Sequence, residues 1–245
     1  MEYSRIINGL PVRAEYSDKS VQEIFLPLLS RLSNMQKEKG RRILVMLAAP
    51  PAAGKSTLVS FLQELSRQEG LSPITAIGMD GFHHFQDYLL SHTVELDGET
   101  VPMTKVKGAP ISFDLQKLRE RIERLLSEEE CPWPHYDRML HNPVEGAVNV
   151  KGDIVLLEGN YLLLDEPGWR ELKSYADYSI FISADEKDVR ERLVTRKAAS
   201  GLPREEAERH VERSDLRNVR LCLAKRLPAD LNLKMLPSGE YVIDL

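Results

Sequence analysis

Residues 43–57 of the chain read Ile-Leu-Val-Met-Leu-Ala-Ala-Pro-Pro-Ala-Ala-Gly-Lys-Ser-Thr. The six apolar residues at 43–48 predict a buried β-strand, and the pair Pro50-Pro51 ends it. An apolar stripe at helical spacing then predicts an amphipathic helix, and it consists of Leu58, Val59, Phe61, Leu62 and Leu65. The stretch therefore predicts a strand, a short loop and a helix in direct succession.

The loop has the residue types that bind phosphate. Small residues let backbone N–H groups converge on phosphate oxygens, and a helix N-terminus adds unpaired donors and a positive dipole end. In the pattern G-x-x-x-x-G-K-[ST], Lys55 would reach the β- and γ-phosphates and Ser56 would bind Mg²⁺. Ala49 replaces the first glycine, which is compatible with the loop if the φ angle of Ala49 is negative.

We therefore predict a nucleotide site at this loop. The alternative is a polar loop before a helix, but the strand and helix on either side favour the nucleotide site. The predicted nucleotide-binding residues are Ala49, Pro50, Pro51, Ala52, Ala53, Gly54, Lys55, Ser56 and Thr57.

Length and composition limit the class of protein. The chain has 245 residues, 42% of them hydrophobic, which suits either one α/β domain or a domain with an appended lid, and one domain is the default. A net charge of −5 argues against nucleic acid or an anionic membrane as the main partner. Cys131 and Cys222 lack zinc-site or disulfide spacing, and we find neither a signal peptide nor a membrane-spanning run. We expect a cytoplasmic protein.

Two acidic residues follow apolar runs that predict strands. Asp80 follows the run 74–79, and Glu158 ends the apolar run 154–157. The carboxyl ends of parallel strands form the crevice where α/β sheets bind ligands. The alternatives are a simple Asp-Gly turn for Asp80 and an ordinary buried strand for Glu158. Both residues follow a phosphate loop in the sequence, and this position favours a functional role for each. Glu158 is predicted on the metal side of the site.

Two segments are candidates for contact with a second substrate. Residues 86–112 show little periodicity and several glycines and prolines, which favours a substrate-covering insert. Residues 133–141 combine aromatic, imidazole, carboxylate and guanidinium groups, typical of polar small-molecule recognition. A proline-rich structural loop with a buried Trp133 explains the second segment equally well.

A further pair of cations lies near the end of the chain. Arg192 and Arg196 are four residues apart in a predicted helix that begins near Asp185, so both project from one face. A break at 198–203 and a second charged helix, 204–226, follow. Although helical arginines usually cover a surface, this arrangement favours a lid whose arginines close on a triphosphate.

The remaining patterns concern packing. We predict a small hairpin at 6–12 with Asn8-Gly9 at its turn, and a helix over 20–39 that covers either the core or a dimer partner. Asp114 is predicted to cap a helix. A hairpin around 237–239 closes the chain.

In this order, the segments resemble the phosphate-loop kinases of the phosphoribulokinase, uridine kinase and pantothenate kinase group. The resemblance covers residues from about 40 to about 235, and it is strongest to bacterial nucleoside/nucleotide kinase family proteins labelled fructose-transport-system kinase. The matching motifs are Gly54-Lys55-Ser56-Thr57, Met79-Asp80-Gly81-Phe82-His83, Lys107-Gly108-Ala109-Pro110 with Phe113-Asp114, Pro134-His135-Tyr136-Asp137 and Glu158-Gly159-Asn160-Tyr161, with the helix that carries Arg192 and Arg196.

The resemblance implies a three-layer α/β P-loop sandwich with a parallel five-stranded sheet in the order 2-3-1-4-5 and a helical lid. We expect one kinase domain over 1–245, with an acceptor-side insert at about 83–112 and a lid at about 190–220. ATP and Mg²⁺ are the implied cofactors. Asp80 is the implied base, Lys55 and Arg196 hold phosphate charge, and Ser56 and Glu158 serve the metal. In our kinase hypothesis Arg192 closes over the γ-phosphate together with Arg196. The implied acceptor contacts are His83, Lys107, Tyr136, Arg138 and Asn160.

Our first hypothesis is an ATP- and Mg²⁺-dependent kinase that phosphorylates a hydroxyl group of a small molecule. A nucleotide-switched ATPase or binding protein without an acceptor is the alternative. Asp80 and the segments at 105–114 and 133–141 favour the kinase, since a switch would not need them. The sequence does not choose among sugar, nucleoside and pantothenate-like acceptors, and it leaves a homodimer open.

Overall fold

The computed structural model describes residues 1–7 and 10–244. Its strands are β1 (Glu2–Ile7), β2 (Leu10–Glu15), β3 (Ile43–Ala48), β4 (Ile74–Gly78), β5 (Thr93–Leu96), β6 (Glu99–Pro102), β7 (Cys131–Asp137), β8 (Asn142–Val150), β9 (Ile154–Gly159), β10 (Tyr178–Ala184), β11 (Leu231–Met235) and β12 (Tyr241–Ile243).

The helices lie between these strands. They are α1 (Asp18–Ser20), α2 (Leu26–Lys39), α3 (Lys55–Gln68), α4 (Gln86–Ser91), α5 (Leu115–Ser127), α6 (Glu186–Ala199), α7 (Arg204–His210) and α8 (Leu216–Ala224). A π-helical turn, Val21–Phe25, joins α1 to α2, and a second, Val211–Asp215, joins α7 to α8. The predicted helices at 20–39 and 204–226 are therefore each continuous but contain a wider turn.

The central sheet has the order β12-β11-β10-β3-β9-β4. All neighbouring pairs among β4, β9, β3, β10 and β11 are parallel, whereas β12 pairs antiparallel with β11. Numbered along the chain, the five parallel strands have the predicted order 2-3-1-4-5, so the fold prediction is confirmed. The predicted C-terminal hairpin supplies β12 as an additional edge strand.

Both faces of the sheet are buried, which explains the uninterrupted apolar runs of its central strands. In β3, Ile43, Val45 and Leu47 pack on one face with α2, α3 and α6. Leu44 and Met46 point to the other face, where α5 and β7 lie. The helices thus form two layers around the sheet, and the carboxyl ends of β3, β4 and β9 open at one edge.

Two segments expected to be irregular form hairpins. Within 86–112 the chain forms α4 and the hairpin β5–β6, whose turn contains Asp97 and Gly98 at φ 53° and 84°. Residues 131–150 form the hairpin β7–β8, with a bulge between Trp133 and His135. The bulge accommodates a strand sequence that contains prolines, which normally argue against a strand.

The N-terminal segment forms the hairpin β1–β2, which packs on α3. The Tyr3 hydroxyl lies 2.6 Å from Ser60 Oγ, and Arg5 donates to Glu64 at 2.6 Å. The predicted turn at Asn8-Gly9 lies outside the described residues. Helix α2 buries its apolar side chains in the core, so the apolar face of the predicted helix covers the core of the chain. Among the described residues, no helix has the length and apolar character needed to cross a membrane.

Candidate active site

The loop between β3 and α3 has two residues in the left-handed backbone region. Ala52 and Gly54 have positive φ angles of 64° and 77°. A Cβ at Gly54 would also lie 2.5 Å from the Tyr241 hydroxyl oxygen, which donates to the carbonyl of Ala53 at 3.1 Å. Gly54 is therefore required for two reasons. The φ angle of Ala49 is not positive, so alanine is compatible with this position of the loop.

Helix α3 begins directly at this loop without a side-chain cap. Gly54 is its N-cap residue, and the Gly54 carbonyl accepts from the N–H of Leu58 at 2.9 Å. The first N–H groups of an uncapped helix remain available, and the helix dipole makes this end attractive to negative charge. Lys55 lies in the first turn. The geometry is that of a phosphate-binding helix N-terminus.

Strand register brings Glu158 to the start of α3. Glu158 is opposite Leu47 of β3 and Gly78 of β4, because the three parallel strands end at the same level. The Ser56 hydroxyl donates to Glu158 Oε1 at 2.7 Å, and Glu158 is only 8% exposed. A buried carboxylate and a hydroxyl therefore lie together next to the phosphate loop.

Asp80 lies two residues beyond the end of β4, in the 3₁₀ turn Met79–Phe82. The turn is fixed against β7: the indole N–H of Trp133 donates to the Gly78 carbonyl at 2.8 Å. A Cβ at Gly81 would lie 2.4 Å from the Pro134 carbonyl oxygen, so only glycine allows this approach. The hairpin β7–β8 is thereby held beside Asp80.

The two carboxyl groups have opposite pKa shifts. Burial raises the pKa of Asp80, but the positive charges of His83, Lys55 and Arg138 outweigh it and hold the pKa below its usual value. Burial raises the pKa of Glu158, and the nearby charge of Asp80 adds to this rise against the opposing effect of Lys55. Asp80 is therefore the more readily ionised of the pair.

Two adjoining clefts meet at this edge of the sheet. The first, with a volume of about 150 Å³, is here called the carboxylate cleft, and its lining includes Ser56, Asp80, His135, Tyr136, Arg138 and Glu158. The second, of about 250 Å³, is here called the cationic cleft, and its lining includes Gly54, Lys55, Ser56, Thr57, Arg138, Arg192 and Arg196. Ser56 and Arg138 line both clefts, which makes them parts of one continuous site.

The donor set fits a hard divalent cation. Ser56 Oγ and Glu158 supply oxygen ligands, which Mg²⁺ prefers. In the described part of the chain, no group of three or more His, Cys, Asp or Glu side chains could hold a metal ion alone. Mg²⁺ is commonly bound through one or two carboxylates together with substrate phosphates and water, and these residues suit that mode.

The predicted acceptor residues fall into three groups. Tyr136 and Arg138 line the carboxylate cleft. His83 lies behind it: its Nδ1 is 2.9 Å from the Asp80 carbonyl, its ring is 3.9 Å from that of Phe113, and burial lowers its pKa.

Lys107 lies at the rim, where its ammonium is 5.3 Å from the Tyr136 ring centre and donates to Gln86 at 2.9 Å. Asn160 lies outside the linings of both clefts, and its backbone carbonyl is 3.3 Å from Cys222 Sγ. The structure thus brings the predicted residues Gly54 to Thr57 together with Asp80 and Glu158. Asn160 is not part of this group.

Sequence reasoning missed residues that line the site. Ile7 of the N-terminal hairpin lines both clefts, and Val12 lines the cationic cleft. No sequence signal relates this hairpin to the phosphate loop, because the contact depends on how β1 packs on α3. His135 belongs to a quoted motif but was not assigned a contact.

Three comparisons relate this site to known proteins. The family model described as the phosphoribulokinase/uridine kinase family matches residues 44–214. The chain is 40% identical over 243 residues, 98% of either chain, to "Uncharacterized protein YggC" of Escherichia coli (strain K12). It is 30% identical over 223 residues to a pantothenate kinase of Myxococcus xanthus, covering 79% of this chain and 67% of the relative.

A crystal structure from Silicibacter sp. TM1040, described as a "putative fructose transport system kinase", matches with a TM-score of 0.73 and 34% identity. The match covers 83% of this chain and 98% of that one. The chain belongs to the phosphoribulokinase/uridine kinase family. The predicted resemblance and the prediction of a kinase, a phosphotransferase that acts on an alcohol group, are confirmed.

Proposed function

We propose that this member of the phosphoribulokinase/uridine kinase family transfers the γ-phosphate of ATP, with Mg²⁺, to a hydroxyl group of a sugar, a nucleoside or a pantothenate-like alcohol. The observation that carries the proposal is the continuity of the two clefts. Ser56 and Arg138 line both, so the carboxylate of Asp80 lies in a pocket that opens directly onto the phosphate loop. A kinase needs a carboxylate and a phosphate site in this relation.

The cationic cleft would bind the triphosphate. The N–H groups at the start of α3 and the Lys55 ammonium would hold the β- and γ-phosphates. Arg192 and Arg196 line the same cleft from α6, where they would stabilise the charge that develops on the transferred group. These contacts supply most of the catalysis in phosphoryl transfer, which depends on positioning and electrostatics.

Ser56 and Glu158 would hold Mg²⁺, which would supply charge neutralisation of the phosphates. Asp80 would orient the acceptor hydroxyl and accept its proton late in the reaction. The lowered pKa of Asp80 suits this role, since the group has to be ionised at neutral pH and needs only modest basicity in a loose transition state.

We assign these parts to one kinase domain over residues 1–245. The segment at about 83–112, with His83 and Lys107, would cover the acceptor. The segment at about 190–220 would act as the lid, because α6 presents its arginines to the cleft and α7 follows after a break at Gly201.

The test is a screen for ADP release from ATP and Mg²⁺ against sugars, nucleosides and pantothenate-like alcohols, with Lys55→Ala as the control. We expect one acceptor class to raise ADP release in the wild type and not in Lys55→Ala. Hydrolysis that depends on Lys55 but that no acceptor stimulates would contradict a kinase and support the nucleotide-switched ATPase.

A further inference from the structure

A third cleft, with a volume of about 220 Å³, adjoins the two already described and is here called the hairpin cleft. It lies between β2, the start of α3, α6 and the turn at 237–239, and its lining includes residues 12–16, Thr57, Arg192 and Gly239. Thr57 and Arg192 also line the cationic cleft, so the two clefts are continuous.

The three clefts lie in a row. The cationic cleft shares Ser56 and Arg138 with the carboxylate cleft, and it shares Val12 and Thr57 with the hairpin cleft. No described residue lines both the carboxylate cleft and the hairpin cleft. The base and the γ-phosphate are at opposite ends of ATP. If the γ-phosphate faces Asp80, the nucleoside has to leave the cationic cleft at its other end, where the hairpin cleft lies.

The hairpin cleft lies along one edge of the hairpin β1–β2. Five consecutive residues, 12–16, line it, whereas none of the described residues of β1 does. Successive side chains of a strand point to opposite faces, so a cleft against one face of a hairpin is lined by alternate residues of both strands. A lining of consecutive residues from one strand instead places the cleft at the outer edge of β2.

The register of the hairpin shows which backbone groups point to this edge. Met1 and Tyr16 form a hydrogen-bonded pair: the Tyr16 N–H donates to the Met1 carbonyl at 2.9 Å, and the Met1 amino group donates to the Tyr16 carbonyl. Hydrogen-bonded and non-hydrogen-bonded pairs alternate along an antiparallel ladder, so Ser4 and Arg13, three pairs further on, form a non-hydrogen-bonded pair. The N–H and C=O of Arg13 therefore point away from β1, and neither bonds to another residue in the described part of the chain.

The edge of β2 has a fixed position relative to the phosphate loop. The buried Tyr16 ring packs on Phe61 of α3, with ring centres 4.4 Å apart, and Tyr3 and Arg5 of β1 bond to the same helix. Because α3 also supplies the N–H groups at the phosphate loop, one helix sets the distance between the loop and the edge of β2. Binding groups that are positioned in advance avoid the cost of ordering them when a ligand binds.

A residue at a free strand edge offers one donor and one acceptor side by side. Adenine carries the complementary pair, an amino donor next to a ring-nitrogen acceptor. Many free strand edges face water and only avoid aggregation. Arg13 differs from that case because its edge borders a cleft that continues the predicted phosphate site.

On the basis of the proposed function, we infer that the hairpin cleft binds the adenine of ATP, and that the N–H and C=O of Arg13 hydrogen-bond to its ring nitrogen and amino group. The N-terminal hairpin is then a part of the nucleotide site that selects the base. The region matched by the family model, 44–214, contains neither β2 nor the turn at 237–239. The contact therefore lies outside the part of the chain that the family model describes.

Arg13→Pro tests the contact, because it removes an N–H that the ladder to β1 does not use. Pro11 already occupies an equivalent position of β2, opposite Ile6. Calorimetry gives the affinities for a non-hydrolysable ATP analogue and for inorganic tripolyphosphate, both with Mg²⁺. We expect Arg13→Pro to weaken binding of the ATP analogue roughly fivefold to a hundredfold, the cost of an unpaired acceptor, and to keep tripolyphosphate within about twofold of the wild type. Damage to the phosphate loop would weaken both.

Ser4→Pro is the matched control. Ser4 pairs with Arg13, its N–H points to the outer edge of β1, and it does not line the hairpin cleft, so both affinities should be unchanged. Arg13→Ala keeps the N–H, so the difference between Arg13→Ala and Arg13→Pro measures the backbone group alone. A further comparison needs only the wild type: a triphosphate analogue of purine riboside, which lacks the amino group, should bind several-fold more weakly than the ATP analogue.

Four results would overturn the inference: an unchanged affinity for the ATP analogue in Arg13→Pro, an equal loss in Ser4→Pro, an equal loss in Arg13→Ala, or equal binding of the adenosine and purine riboside analogues by the wild type. Binding of the ATP analogue that depends on the Arg13 N–H, without acceptor-stimulated ADP release, would contradict the proposed kinase alone.

Discussion

Asp80 and Glu158 lie in one cleft, and the charges around them move their carboxyl pKa values in opposite directions. Burial raises the pKa of both groups and Lys55 lowers both, so the difference comes from the additional charge of His83 at Asp80 and from the repulsion that Asp80 exerts on Glu158. Groups whose pKa values are separated in this way usually have separate roles. We assign the acceptor hydroxyl to Asp80 and the metal to Glu158.

Asp80→Asn tests the first of these roles. The amide keeps the shape of the side chain but cannot accept a proton, so we expect kcat to fall by roughly 10²–10⁴-fold while ATP affinity is retained. The measurement is steady-state ADP release together with nucleotide titration, and Asp87→Asn on α4 is the control. Undiminished turnover in Asp80→Asn would remove Asp80 from the mechanism.

Glu158→Gln tests the second role through pH. Because the folded state raises the pKa of Glu158, the nucleotide-free protein binds a proton there more tightly than the unfolded chain does. This group therefore makes the free energy of unfolding decrease as the pH rises from the usual glutamate pKa through the raised value. We expect Glu158→Gln to remove that decrease in denaturation curves recorded at a series of pH values from about 4 to about 8.

The same variant should lose the stabilisation that Mg²⁺ adds in the presence of ATP, since it lacks the carboxylate. A wild-type dependence on Mg²⁺ that persists in Glu158→Gln would show that the metal is held elsewhere. The Ser56 hydroxyl can still donate to the amide oxygen of the glutamine, so the packing around α3 is retained.

At the level of elements, the contact of the 3₁₀ turn with β7 decides whether the site is assembled. In Gly81→Ala the new methyl group meets backbone atoms of Pro134 and His135, which cannot rotate away. We expect a loss of about 1–3 kcal/mol in the free energy of unfolding and an increase in the KM of the acceptor. Denaturant unfolding and steady-state kinetics measure the two effects.

Gly70→Ala is the control for this substitution. Gly70 follows the end of α3 and has a φ of 63°, and no atom lies within 4 Å of a Cβ built there. It should cost about 1 kcal/mol of backbone strain and leave the KM of the acceptor unchanged. If both variants lose only stability, the turn and β7 need not be in contact for acceptor binding.

Helix α6 allows a comparison of arginines on one element. Arg192 and Arg196 line the cationic cleft, whereas Arg190 pairs with Glu212 at 2.6 Å. We expect Arg196→Ala to lower kcat by roughly 10²–10³-fold, as the loss of a group that stabilises transition-state charge does. Arg190→Ala should change kcat by less than about twofold, since exposed ion pairs contribute little. Similar kinetics in the two variants would argue against a catalytic lid.

The elements that the sequence predicted were the long apolar ones. Burial on both faces leaves an uninterrupted apolar run at 43–48, and burial on one face leaves the helical stripe of α3, so both elements can be recognised from local sequence. The hairpins β5–β6 and β7–β8 were missed. The strands of β5–β6 are four residues each, too short for a periodic pattern, although Asp97-Gly98 is a readable turn signal. Pro132 and Pro134 hid the strand β7.

At the scale of the whole molecule, the positions of the phosphate loop, Asp80 and Glu158 were predictable because they lie at or just beyond the ends of strands whose order the resemblance implied. The roles of Arg138 and Ile7 were harder to assign. Each lies in a hairpin whose contact with the cleft depends on packing between segments that are distant in sequence. Local patterns contain no information on such contacts.

The measurement that tests the central claim most directly follows the γ-phosphate itself by ³¹P NMR, with the wild-type protein, ATP, Mg²⁺ and an acceptor that stimulates ADP release. A kinase predicts a new phosphate monoester signal that grows with ADP, while inorganic phosphate stays low. Inorganic phosphate as the sole product beside ADP, whichever acceptor is present, would contradict phosphoryl transfer and leave an ATPase.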